Sequence, residues 1–343
     1  MRSDLPCIPA LDRLGQAPGI AGVPATHEKA TPGLQREPGR QPEVWVIGGG
    51  KGGTGKTLMC ANLAVHLAHL GDRVVAVDAD LGCPNLHTAL GLECPERTLS
   101  DFINRRWANL EEVALPTGTT NLRVISGARN ALNSESLPFL QKQRFIRQLR
   151  QLDADRVLVD LGAGISLAVL DLFCSADRPV AVVLPEPTSV ENLYRFLKAS
   201  FFRRIAKAAR EHGIGSILDW VGRRRKLSGL VRPADLVNEV ERVDGVAGRW
   251  IRSALERFRP SLIINQSRHR VDDQLGESIE VACRTFLGVP LQYVGSVPYD
   301  ACFGAALRSG YPYLKVHYTQ TAASRIMRIG KSLRDLSTVG EAA

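Results

Sequence analysis

The sequence predicts an α/β protein built on a doubly wound, mostly parallel sheet, with a basic helical insertion. An apolar run, Val44–Ile47, leads straight into a glycine cluster and then into a helical pattern that runs to about Leu70. Short, nearly continuous apolar segments of the kind buried in parallel sheets recur at Arg73–Asp78, Leu122–Ser126, Arg156–Leu161, Pro179–Leu184, Ser261–Asn265 and Leu291–Val297. Helical patterns lie between them, which is the alternation of a parallel sheet covered on both faces.

Residues 1–42 hold seven prolines and five glycines without a sustained period, and read as a disordered leader. The domain, 43–343, starts at about Glu43. In its first helix, apolar residues fall at Leu58, Ala61, Leu63, Ala64, Leu67 and Leu70, and Gly71 is placed to end it. One connection is too long for a simple crossover. The 76 residues from Pro185 to Pro260 carry 16 lysines and arginines against 9 acids, a net +7 within a chain of net +9. We read about 200–260 as a helical insertion projecting from the sheet's edge. Its basic residues, among them Arg203, Arg204, Lys207, Arg210 and Arg223–Lys226, form either a solvated face or a docking surface for an acidic partner, anionic lipid or nucleic acid.

The chemistry starts at Gly50-x-x-x-x-Gly55-Lys56-Thr57, the pattern of a phosphate-binding loop. Backbone N–H groups can surround the concentrated charge of β- and γ-phosphates only where side chains stay away. Gly50, Gly52, Gly53 and Gly55 permit that wrap, and the helix beginning near Thr57 points its positive end at the phosphates. Lys56 is expected on the β/γ-phosphate oxygens and the Thr57 hydroxyl on Mg²⁺. Asp78-Ala79-Asp80 ends one strand and Asp160 ends another, so three carboxylates are expected at the sheet's carboxyl edge. Mg²⁺ keeps several waters, so one hydroxyl and one or two outer-sphere acids suffice. We assign Thr57 and Asp160 to the metal.

Composition sets outer bounds. With 44% hydrophobic residues the chain can bury a real core, and no apolar run approaches the eighteen or so residues of a membrane span. The N-terminus has no signal-peptide segment, so a cytoplasmic protein is expected. Seven scattered cysteines with no C-x-x-C pair argue against a disulfide framework, a zinc site or a simple iron–sulfur site.

A second lysine, Lys51, sits inside the loop, and KGGTGKT resembles the KGGxGK[ST] deviant Walker A motif of the MinD/ParA family of ATPases. That resemblance implies ATP and Mg²⁺ as cofactors and a homodimer formed on ATP. It also implies that Lys51 crosses the interface to the partner's phosphates. By the same resemblance Asp78-x-Asp80 is the first switch, with Asp78 supporting the Mg²⁺ hydration shell and Asp80 orienting or activating the attacking water. Gly162-Ala163-Gly164 resembles the second switch. Nucleotide contacts are implied along the loop from Gly50 through Thr54 to Leu58. At the base they are implied for Asn265 and for Pro298 of GSVPYD, and an amide suits adenine because it both donates and accepts.

Pro185-Glu186-Pro187-Thr188-Ser189 with Glu191-Asn192-x-Tyr194 is most similar to the FlhG/MinD branch. This implies a spatial or numerical regulator of a cell structure, a flagellum, pole or division site, working with a protein partner. The alternative is a ParA-like ATPase that partitions cargo by non-specific DNA binding through its basic helices. The C-terminal stripe Ile326, Ile329, Leu333, Leu336, flanked by Arg325, Arg328, Lys331 and Arg334, suits peripheral binding at an anionic inner membrane, or packing of the last helix on the sheet.

Overall fold

The computed structural model describes residues 40–93, 95–127, 139–216 and 233–339. The expected leader therefore lies almost wholly outside the described residues, as does the Arg223–Lys226 run. In chain order the strands are β1 (Glu43–Gly48), β2 (Val74–Asp78), β3 (Leu115–Pro116), β4 (Leu122–Ile125), β5 (Arg156–Asp160), β6 (Arg178–Val183), β7 (Ser261–Ser267) and β8 (Gln292–Pro298). The first helices are α1 (Lys56–His69), α2 (Leu86–Ala89), α3 (Leu99–Ile103), α4 (Phe139–Leu149), α5 (Leu167–Ser175) and α6 (Pro187–His212). They are followed by α7 (Pro233–Val243), α8 (Gly245–Glu256), α9 (Val271–Ala282), α10 (Cys302–Ser309), α11 (Tyr313–Val316) and α12 (Thr321–Val339).

The strands form one sheet in the order β3-β4-β2-β5-β1-β6-β7-β8. Every pairing is parallel except the antiparallel contact of β3 with β4. Only that two-residue edge strand was absent from the sequence reading, because two residues carry no period. Successive side chains of a strand point to opposite faces, and the continuous apolar runs feed both. Val44 and Val46 enter a core with α5, α6, α7 and α8, while Trp45 and Ile47 enter a second core with α1 and α12. Returns on both sides of β1 bring the carboxyl ends of β1, β2 and β5 to one crevice, where open α/β sheets bind ligands.

Helix α1 ends as expected, with Gly71 at φ +95°. The expectation of a projecting insertion is corrected in the described part of that region. Phe196, Phe201, Ile205, Val240, Ile251, Leu255 and Phe258 are buried in the same core as β1, so α6, α7 and α8 cover one face of the sheet. Several of the basic residues are structural. Arg203 pairs with Asp171, which Lys142 also reaches, and Arg204 donates to the carbonyls of Cys174 (2.9 Å) and Ala254 (3.2 Å).

Packing also accounts for the C-terminal stripe. Ile326, Ile329 and Leu333 are at most 2% exposed and lie in the core shared with α1. They are not free to enter a membrane. Among the described residues no helix is long and apolar enough to cross one. Leu333→Ala should cost about 2–5 kcal/mol, the range for truncating a buried leucine, in urea unfolding of the full chain. A loss below about 0.5 kcal/mol, typical of a surface change, would mean that α12 does not pack here.

Candidate active site

The phosphate loop leaves β1 at Gly48 and enters α1 at Lys56, through left-handed backbone at Gly53 (φ +74°) and Gly55 (φ +87°). Its walls are close. A Cβ on Gly50 would stand 2.1 Å from the Asn192 carbonyl oxygen of α6, and one on Gly55 would stand 2.2 Å from Asn265 Nδ2 of β7. Both approaches are shorter than any real Cβ contact, so the loop keeps its path only with glycine there. The Thr54 side chain is buried, and its hydroxyl has no partner.

Lys56 is buried at the start of α1 and donates from Nζ to the Lys51 carbonyl at 3.1 Å. Burial lowers its pKa, and the nearby Asp160 and Asp80 oppose that shift. Lys51 points elsewhere. It is half-exposed, and its ammonium reaches Glu186 Oε2 and Thr188 Oγ1, each at 3.3 Å, where α6 begins. In the sequence Glu186, Thr188 and Asn192 carry only a family resemblance. No local pattern marks their contacts with the loop, since 135 residues separate Lys51 from Glu186.

Asp78 and Asp160 end neighbouring strands and sit side by side in register. The Asp78 carboxylate accepts from the backbone N–H groups of Asp80 (3.1 Å) and Leu86 (3.0 Å), while burial pushes its pKa to about 7. Asp160 is pushed to about 8, first by burial and then by Asp78, against a hydrogen bond from the Thr57 hydroxyl. Its Oδ1 is buried without a hydrogen-bond partner. A divalent cation fits this donor set, because it would satisfy the orphaned oxygen and neutralise two carboxylates that repel in a dry site. Among the described residues no cluster of three or more His, Cys, Asp or Glu forms an all-protein metal cage.

Asp80 lies at the rim. Its Oδ1 accepts from the N–H groups of Gly82 and Cys83, both at 3.1 Å, and its carboxylate lies beside Gly162. The segments that follow β2 and β5 therefore lie against each other. Two polar residues follow Asp80 in the same segment. Asn85 donates to the Cys83 carbonyl (2.9 Å), and the His87 ring meets the Ser126 hydroxyl (3.2 Å). Asn265 and Pro298 stand near the ends of β7 and β8, with Ser267 paired to Pro298. The side chain of Asn265 is turned to the loop, donating to the Thr54 carbonyl at 2.9 Å. Leu58 lies in the first turn of α1, packed against the core it shares with α12.

A glycine loop between β1 and α1, a lysine over it, and strand-end acids on a mostly parallel sheet define a P-loop NTPase fold. The family model for the CobQ/CobB/MinD/ParA nucleotide-binding domain matches residues 45–313, and the chain belongs to that family of MinD/ParA-type P-loop ATPases. The antiactivator FleN of Pseudomonas aeruginosa is 30% identical over 260 residues, covering 75% of this chain and 74% of FleN. The septum site-determining protein MinD of Helicobacter pylori is 36% identical over 156 residues, 43% of this chain and 55% of that one. Among solved structures, MinD of Pyrococcus horikoshii complexed with Mg-ADP superposes with a TM-score of 0.58 at 22% identity, covering 87% of this chain and 98% of that one. The MinC:MinD complex of Aquifex aeolicus gives 0.57 at 20%, covering 85% and 96%.

The Gly50 contact supplies a direct check on the loop. Gly50→Ala should lower ATP affinity at least tenfold by calorimetry, because the methyl group has to push the loop off α6. Unchanged affinity in a folded variant would show that the loop does not follow this path.

Proposed function

We propose that the protein is a MinD/ParA-type ATPase that dimerises on ATP, separates after hydrolysis, and by that cycle regulates the position or number of a cell structure. The observation that carries the reading is the division of labour between the two loop lysines. Lys56 is buried at the foot of the loop, where a single subunit needs its cation. Lys51 lies half-exposed on the rim, held by Glu186 and Thr188, with no phosphate of its own to serve. Facing a second copy, it can leave Glu186 and meet charge on the partner's γ-phosphate, a contact of the arginine-finger kind. Ile165 and Leu167, 54% and 62% exposed beside the second switch, give the same edge an apolar rim suited to covering.

In this reading the loop from Gly50 to Thr57 holds the phosphates, with Lys56 on the β/γ oxygens and Leu58 closing the first turn of α1. Thr57 and Asp160 would hold Mg²⁺, with Asp78 supporting its hydration shell, and the ion when bound would supply positive charge against that of the phosphates. Asp80 orients the attacking water once the first switch releases it from Gly82 and Cys83. Asn265 and Pro298 flank adenine. The Mg-ADP bound to Pyrococcus horikoshii MinD supports this choice of ligand. The name of the septum site-determining protein MinD supports regulation in space, that of the antiactivator FleN supports a regulatory role, and the MinC complex supports a protein partner. In this reading the protein works in the cytoplasm. Any contact with a membrane has to use a surface other than the buried stripe of α12.

Lys51→Ala tests the reading. Nucleotide affinity should stay within a few-fold of wild type, while dimerisation and turnover fall together. Normal, concentration-dependent turnover in Lys51→Ala would mean a phosphate-loop protein of another kind.

A further inference from the structure

Asn265 makes a contact that base recognition does not require. Its Nδ2 donates to the backbone carbonyl of Thr54 at 2.9 Å across 211 residues of chain, and the side chain is 6% exposed. A carbonyl oxygen can only accept, so the amide must present its nitrogen here, which leaves one N–H and the amide oxygen for other partners. The sheet is bent to aim it. The β7–β8 register shifts between Asn265 and Ser267, and Gln266 in that bulge has φ +58°, a left-handed conformation that side chains other than glycine rarely adopt. Bulges of this kind re-aim a side chain, and such local strain persists where the surroundings demand it.

The consequence follows from peptide geometry. In a planar trans peptide the C=O and the next N–H point in opposite directions. Fixing the Thr54 carbonyl toward Asn265 therefore fixes the Gly55 N–H away from it. Gly55 lies in the segment where backbone N–H groups gather on phosphate. Gly55 itself is at φ +87° with no room for a Cβ against the amide, so the two residues fit only as a pair. On the other side the loop backs onto Asn192 of α6 and the Val182 carbonyl of β6. Asn265 is the brace on the β7 side.

We propose that Asn265 is a positioning residue for the phosphate loop. It sets the direction of the Gly55 N–H, so that occupation of the base site at the end of β7 and the shape of the phosphate cradle are linked through one side chain. This rests on the nucleotide reading above, but it makes a different demand. Removing the amide should weaken binding of phosphate that carries no base at all.

The experiment uses the full chain and its Asn265→Ala and Asn265→Asp variants, titrated by calorimetry with ATP and with inorganic tripolyphosphate, both with Mg²⁺. Asn265→Asp keeps the shape but faces the Thr54 carbonyl with an acceptor. Both variants should bind tripolyphosphate more weakly, by about five- to tenfold, as the net worth of one buried hydrogen bond implies. ATP should weaken by at least the same factor. Weaker ATP with unchanged tripolyphosphate would make Asn265 a base contact only and overturn the proposal, as would no change in either ligand. Ligand-free melting separates a general loss of stability. A lower Tm with tripolyphosphate affinity intact in the folded variant also overturns it. Failure of the wild type to bind ATP would instead remove the nucleotide reading itself.

Discussion

The close fit of the phosphate loop against Asn192 on one side and Asn265 on the other is the contact on which the site depends. A loop that gathers backbone N–H groups on phosphate cannot be held by its own side chains, since the glycines that open it leave it none. Its shape has to come from outside. Here α6 and β7 supply it, and each reaches that position through the parallel sheet. The approaches of 2.1 and 2.2 Å that a Cβ would make explain why the glycines are required in physical terms. At Gly55 the fit coincides with a left-handed backbone, and at Gly50 it is the wall alone.

Electrostatics build on that frame. Two carboxylates and a lysine meet where the strands end, in a region dry enough to raise Asp78 to about 7 and Asp160 to about 8 while lowering Lys56. Each shift has burial as its largest cause, so the site disfavours its own charges in isolation. A nucleotide triphosphate with a divalent cation brings the complementary set. Lys51 and Asp80 are held apart from this centre by contacts on the rim, Lys51 by Glu186 and Thr188 and Asp80 by its own turn. Both contacts are exposed and inexpensive to exchange, as parts that move during a cycle require.

Much of this was legible in the sequence, for identifiable reasons. Continuous apolar runs at Val44–Ile47 and Val157–Val159 read as buried strands because both faces of the sheet are covered. The glycine spacing and strand-end acids read as a phosphate site because few other needs produce them together. What depended on packing was hidden. The stripe Ile326, Ile329, Leu333 fits a membrane and a core equally well until α1 is placed beside it. The charge of Arg203 and Arg204 reads as a solvated face or a docking surface, yet both are spent on Asp171 and on helix-end carbonyls. The Thr54–Asn265 bond joins residues 211 apart, and no local pattern announces it.

If two copies must meet over ATP before hydrolysis proceeds, the specific ATPase activity of the wild-type full chain depends on its own concentration at saturating ATP and Mg²⁺. Activity per subunit should rise with concentration and level off, with half-maximal activity at the concentration where light scattering shows half the chains dimeric. Activity per subunit that stays flat while the chain remains monomeric would contradict that requirement.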